Sequence, residues 1–247
     1  MNTTTTSSKY GRGIIAPIGL QNSSWKNSEE YLQYIFDTRS DFSPFNYVYL
    51  DMSAQTGSYS MYYLNNVNSK SVQKLNSNDN KKFIYSFSNS DLERPFSKIT
   101  EGRRTFESMI DEFAIRGDKD KLVNSLINEL LQSENQYYPD ENLRFFLNQS
   151  EENIVKGISQ INANYSTYWE NALSRTSTLI LVDYEDNVEY YEYNLTNWTP
   201  SGNSIVSKVW KMNQLKFKLN SQYKNAAKKC KTFYFSMLIL LICKFII

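Results

Sequence analysis

The sequence predicts a mixed α/β (α+β) protein of layered antiparallel sheets with flanking helices. Three observations carry this reading. Strand-like runs come in pairs separated by turn signals, at 45–52 with 59–64 and at 178–184 with 188–193. Helical periodicity is concentrated in a few amphipathic stretches between those pairs. The regular βαβ alternation that a doubly wound parallel sheet requires is absent. With 247 residues, 40 % of them hydrophobic, the chain can bury a core of ordinary size.

In chain order, residues 1–10 form a polar Thr/Ser leader, expected to be disordered because it has nothing to bury. Gly11–Leu20 is apolar but broken by Pro17. The spacing of Tyr31, Leu32, Tyr34, Ile35 and Phe36 predicts a helix over 28–38, with Ser28 as its N-cap and Glu29 and Glu30 in the first turn. A hairpin follows, with a turn at Gln55-Thr56-Gly57, and Val72–Leu75 reads as a short strand. Alternation of Phe83, Tyr85 and Phe87 predicts another strand.

Residues 99–115 form a helix stopped by Gly117, and Asp118 caps a second helix over 119–132. Residues 133–150 read as loop around Pro139, and 154–161 as a short helix. Thr178–Tyr184 is a buried strand, Asp186-Asn187 a turn, and Val188–Tyr193 the returning strand. The expected organisation is the leader, a single domain over 11–207, and a basic segment with a short hydrophobic tail over 208–247.

Composition excludes much chemistry. The sequence has no His, which removes His-based triads, His-ligated zinc and His-ligated haem. Its two cysteines, Cys230 and Cys243, lie near the end, so the body has no disulfide frame and no thiol nucleophile. The 27 Asn residues discount the six N-x-S/T sequons as evidence for secretion. No metal or cofactor is expected. Net charge is +1, but nine of the 27 basic residues and none of the 26 acidic ones fall from Lys208 onward. The chain is therefore bipolar, and the preceding part carries a net charge of −8.

The tail admits three readings. Lys228, Lys229 and Lys231 with Phe233, Leu238, Leu240 and Leu241 would suit weak contact with an anionic membrane. Its apolar run falls short of the about 20 residues a spanning helix needs. It could instead be a terminal helix packed on the body, or a translated non-coding stretch.

No phosphate-cradling Gly motif is present. The pairs Asp111-Glu112 and Glu151-Glu152 read as solvated surface, and the tyrosines at 47, 49, 190, 191 and 193 as ordinary strand faces. No basic residues interleave those tyrosines, so no nucleic-acid partner is expected. The best polar constellation is Ser174-Arg175-Thr176-Ser177 before the buried strand, where an Arg beside hydroxyls can grip a carboxylate or phosphate; an exposed loop Arg is the plain alternative.

Four segments in order resemble the transport and Golgi organisation family, known by its Asn-Arg-Asp-Glu motif. They are Gly11-Arg12-Gly13-Ile14-Ile15; Pro44-Phe45-Asn46-Tyr47-Val48 with Tyr62-Tyr63-x-Asn65; Tyr85 through Lys98, containing Ser88-Asn89 and Pro95-Phe96-Ser97-Lys98; and Ser174-Arg175-Thr176-Ser177-Thr178 leading into Asp183. The resemblance implies an αββα fold like that of N-terminal-nucleophile hydrolases. It implies a role in Golgi organisation, protein secretion and transport, with handling of a small ligand such as haem or lipid. Cytoplasmic, Golgi-associated localisation follows, with a small ligand or a secretory-pathway protein as partner. Asn2 follows Met1 and Asn-Arg-Asp-Glu is absent. An N-terminally incomplete, non-catalytic member is therefore expected; a degenerate amide hydrolase and a tail-anchored membrane module are the alternatives. Asn46, Asn89, Arg175 and Thr176, which recur in the matching segments, are the candidate pocket for a carbonyl or anion. The competing reading has Asn46 and Asn89 satisfying strand-end backbone groups.

Overall fold

A computed structural model describes residues 8–21, 25–52, 59–75, 84–88, 90, 92–146, 156, 159–162, 164–166, 171–183, 185–201, 204–218 and 238–246. It is α+β with antiparallel sheets, as the paired strand runs predict. The described chain forms two compact units, one up to residue 75 and one from residue 84 onward.

In the first unit, a turn of 3-10 helix at Arg12–Ile14 leads into α1 (Ile15–Gln21), and α2 spans Ser28–Asp37. The cap of α2 sits one residue earlier than the sequence suggested: Asn27 Oδ1 accepts from the Glu30 N–H at 2.8 Å. An Asn side chain reaches the third helical N–H as well as a Ser does, and the Ser28 hydroxyl is engaged with the Asp51 carboxylate instead. Strand β1 (Asn46–Met52) pairs antiparallel with β2 (Tyr59–Asn65), and β2 with the short β3 (Gln73–Lys74). The turn expected at residues 55–57 lies outside the described residues. Tyr31, Leu32 and Ile35 on one face of α2 pack with Ile15, Phe42, Phe45, Tyr62 and Leu64. The chain before Gly11 is engaged too, since Tyr10 bridges to Phe42.

The Tyr31 hydroxyl donates to the Ile15 carbonyl at 2.7 Å, and its ring lies over Gly19. A Cβ at Gly19 would stand 2.6 Å from Tyr31 Cζ. Tyr31 is 2 % exposed, so the ring has no room to yield. Gly19→Ala is therefore expected to destabilise this unit by about 1–3 kcal/mol despite the better helix propensity of Ala. Thermal unfolding checks this; an unchanged midpoint would show that the packing relaxes.

In the second unit, α3 (Ser97–Arg116) ends at Gly117, which takes the left-handed conformation (φ 70°) that glycine accepts without strain. Asp118 Oδ1 accepts from the Lys121 N–H at 3.0 Å and starts α4 (Lys119–Ser125), which runs on as a π-helical turn through Leu131. Leu122, Val123, Leu126, Ile127, Leu130 and Leu131 form the buried stripe read from the sequence. They pack on Leu179, Leu181 and Tyr191 of the larger sheet, with Phe106, Met109, Ile110 and Phe113 of α3 alongside.

The loop predicted at 133–150 is corrected. Glu141–Phe146 is a helix, α5, capped by Asp140, whose Oδ1 accepts from the Leu143 N–H at 3.0 Å. The strand predicted around residue 85 is also corrected, because residues 84–88 join no ladder. Aromatic alternation needs a neighbouring strand to become β structure, and here Tyr85 and Phe87 stack on each other instead. Most of the helix predicted over 154–161 lies outside the described residues, and 159–162 are turn and bend.

The larger sheet has the order β4 (Asn164–Ser166), β5 (Asn171–Val182), β6 (Asn187–Ser201), β7 (Ser204–Lys218), with β8 (Leu238–Ile246) antiparallel to β5. Asp183 closes the β5–β6 turn. Its carboxylate accepts from the Glu185 and Asn187 N–H groups and the Asn187 side chain, while Asp186 takes φ 65°. Strand β7 is continuous across residues 207 and 208, where the sequence suggested that a basic segment begins. In the tail, the packed-helix reading is corrected for 238–246. An apolar run fits a buried strand as well as a helix, and β5 supplies the ladder partner. No helix among the described residues is long and apolar enough to cross a membrane.

Candidate functional site

The residues singled out in the sequence are divided between the two compact units. Asn46 belongs to the first unit, where its Oδ1 accepts from the Tyr63 hydroxyl at 2.8 Å. That hydroxyl accepts from Asn65 Nδ2 at 2.9 Å, and Asn65 Oδ1 accepts from the N–H groups of Val67, Asn68 and Ser69 at 2.9, 2.8 and 3.1 Å. Asn65 is 4 % exposed, so this knot of side chains satisfies the chain where it leaves β2. The Pro-Phe-Asn and Tyr-Tyr-x-Asn segments thus meet through a Tyr–Asn bond between β1 and β2, and Asn46 pairs there with a hydroxyl. Asn89 lies outside the described residues.

Arg175 and Thr176 belong to the second unit, on β5. The ladder between β5 and β8 shifts register between Ser174 and Thr176, leaving Arg175 as the bulged residue. Its side chain is exposed, and among the described residues it meets no carboxylate and no hydrogen-bond acceptor.

The register places Thr176 opposite Asn194, Thr178 opposite Glu192 and Ile180 opposite Tyr190. These six share the face turned away from the helices, since Leu179, Leu181 and Tyr191 occupy the helix side. A chain of hydrogen bonds runs along this face. The Thr176 hydroxyl donates to Asn194 Oδ1 at 2.9 Å, Asn194 Nδ2 donates to Glu192 Oε1 at 2.7 Å, and the Tyr190 hydroxyl donates to Glu192 Oε2 at 2.6 Å. The Tyr190 bond, with those from Asn194 and Asn213, holds the Glu192 carboxyl below its ordinary range. The same bond to Glu192 pushes the Tyr190 hydroxyl up.

The bulged Arg175 thus directly precedes in sequence a polar track of Thr176, Asn194, Glu192 and Tyr190 that is built around a carboxylate, and a free guanidinium is able to grip an anion. The Thr176 proton points at an amide oxygen, which has no useful basicity at neutral pH, so that bond does not activate the Thr176 hydroxyl as a nucleophile. Among the described residues, no group of three His, Cys, Asp or Glu side chains could hold a metal ion. Sequence reasoning found Arg175 and Thr176 but missed Tyr190, Glu192 and Asn194. Their alternation is visible in the sequence; their places opposite Ile180, Thr178 and Thr176 depend on the hairpin register.

The remaining candidates concern the tail. Lys228, Lys229, Lys231 and Phe233 lie outside the described residues, while Leu238, Leu240 and Leu241 lie in β8. Lys98, at the end of the third matching segment, is 5 % exposed and donates to the Gln160 carbonyl at 3.2 Å.

Fold and face together define an α+β protein whose larger antiparallel sheet carries a hydrogen-bonded polar track on the face away from the helices. The family model described as Transport and Golgi organisation 2 matches residues 1–197. The chain belongs to that family. It is similar to Transport and Golgi organization protein 2 of Drosophila melanogaster, with 23 % identity over 194 residues, which cover 78 % of this chain and 64 % of the relative. The matched part thus spans less than two thirds of that relative's length. No solved structure matches the chain.

Proposed function

We propose that this protein is a non-catalytic factor in Golgi organisation and protein secretion that acts by holding a small anionic ligand on the β5–β6 face. The observation that carries the ligand is Arg175, an exposed guanidinium with no partner among the described residues, placed by a bulge at the head of the Thr176–Asn194–Glu192–Tyr190 track. The family's name supports the pathway. Haem and fatty acids fit the chemistry, since each presents a carboxylate that an Arg grips with two hydrogen bonds. Amide hydrolysis is disfavoured on this face by the Thr176–Asn194 bond, which leaves the hydroxyl without a base.

Quenching of intrinsic fluorescence by haemin and by a fatty acid tests the ligand. A charge-assisted bidentate contact is worth about 1.5–3 kcal/mol, so Arg175→Ala should weaken binding roughly 10- to 100-fold. Affinity equal to that of the parent protein for both probes would remove Arg175 from the site.

A further inference from the structure

Strand β7 pairs with β6 and with no other strand among the described residues, so its second edge carries no ladder there, while β4 packs close by. Every residue from Lys211 to Lys218 is exposed. Large apolar side chains are among them and continue toward the hairpin end: Val206, Val209, Met212, Leu215 and Phe217 are each about half exposed or more, with Leu215 at 60 %. The family match ends at residue 197, before this strand begins. A long apolar edge of this kind is a template for another strand.

We propose that β7 pairs antiparallel with β7 of a second copy of this chain, in the register centred on Met212. Charge and side-chain type select the register. With Met212 facing its own copy, Val209 faces Leu215, Ser207 faces Phe217, Trp210 faces Gln214 and Lys211 faces Asn213, and a lysine meets an apolar side chain only at the end of the ladder, where Lys218 faces Val206. The one pair of like charges brought together is Lys208 with Lys216. Both are already neutralised within their own chain, Lys208 by Glu134 at 2.7 Å and Lys216 by Glu189 at 3.2 Å. Centring on Asn213 instead sets Lys211 against Leu215 and Lys216 against Trp210. Centring on Gln214 sets Lys211 against Phe217 and Lys216 against Met212. Cross-strand pairs of matched apolar side chains stabilise a ladder, and burying an ammonium against them does not. The pairing would extend the sheet across a two-fold axis and cover the exposed apolar residues of both copies.

Sedimentation equilibrium of the full chain across the micromolar range tests the partner. The expected result is a reversible monomer–dimer equilibrium, and Leu215→Lys should weaken it about tenfold or more. Leu215 is exposed, so the variant's thermal midpoint should stay at that of the parent at a concentration where both are monomeric. Cysteine cross-linking tests the register in a background carrying Cys230→Ala and Cys243→Ala. Met212→Cys should oxidise efficiently to a covalent dimer, because facing Cα atoms in this geometry lie about 4.5–5.5 Å apart. Phe217→Cys should not. A parent protein that stays monomeric throughout, even if it captures acidic peptides or anionic vesicles, overturns the proposal. So does equal cross-linking at 212 and 217.

Discussion

Asp140→Ala is expected to cost the second unit about 3 kcal/mol or more. The carboxylate is 2 % exposed and serves two helices at once. Its Oδ2 accepts from the Ser97 N–H at 2.7 Å at the start of α3, and its Oδ1 from the Leu143 N–H at 3.0 Å in α5. Both donors are first-turn N–H groups with no acceptor inside their own helices, and both sit at the positive end of a helix dipole. Alanine removes both bonds together, so the loss exceeds that of an ordinary cap. Phe96 and Leu143, which pack together with Ile99 and Tyr138 half-buried around them, lose the clamp that holds α3 and α5 in contact. For a domain of this size the midpoint should fall by roughly 6–12 °C. Asp140→Asn keeps one acceptor and should lie between the two. A midpoint for Asp140→Ala within a degree of the parent would show that the shared cap contributes nothing.

The second large effect is a loss of stability in acid. Glu189 on β6 meets Lys119 at the start of α4, Lys216 of β7 at 3.2 Å and the Tyr191 hydroxyl at 2.6 Å. Burial alone would raise its pKa. The bonds from Lys119, Tyr191 and Lys216 outweigh that and hold the carboxyl at about 2. An unfolded Glu takes up its proton near the ordinary value of 4.5. The folded state is therefore favoured in full above that value, progressively less as the pH falls, and not at all below about 2. The side chain is 16 % exposed, so the contribution at neutral pH is on the order of 2–3 kcal/mol. Glu189→Gln should forfeit it at pH 7 and converge on the parent near pH 2. Chemical denaturation of both proteins across that range measures the difference and removes the parallel contributions of Asp183 and Glu192, whose carboxyls are also held low. A gap between the two proteins that stays constant with pH would contradict the ion-pair account.

How much of this was legible in the sequence depended on whether the governing signal was local. Helix α4 could be read because its cap, Asp118, and its apolar stripe adjoin each other in sequence, and the end of α3 because only glycine sits easily at φ 70°. The β5–β6 hairpin could be read from a buried run and the Asp-Asn turn after it. Helix α5 was missed although Pro139-Asp140-Glu141 is a start signal, because six residues carry too little periodicity to register. Strand β7 carries little strand signal in the sequence, because its apolar residues occupy both faces and do not alternate cleanly among the lysines. In the site, Arg175 and Thr176 were visible beside the buried run. Glu192 and Asn194 required the register, which one residue of slip would send to the helix side. Asn46 was visible as a type but not as a partner of Tyr63, which faces Val48 across the ladder.

The most direct test of the account is rescue of secretion. In cells depleted of this protein, a secreted reporter and the compactness of the Golgi ribbon should both be restored by the parent chain. They should not be restored by the Arg175→Ala, Glu192→Gln double variant expressed at the same level and melting at the same temperature. Full rescue by that variant would contradict the claim that the β5–β6 face carries the function.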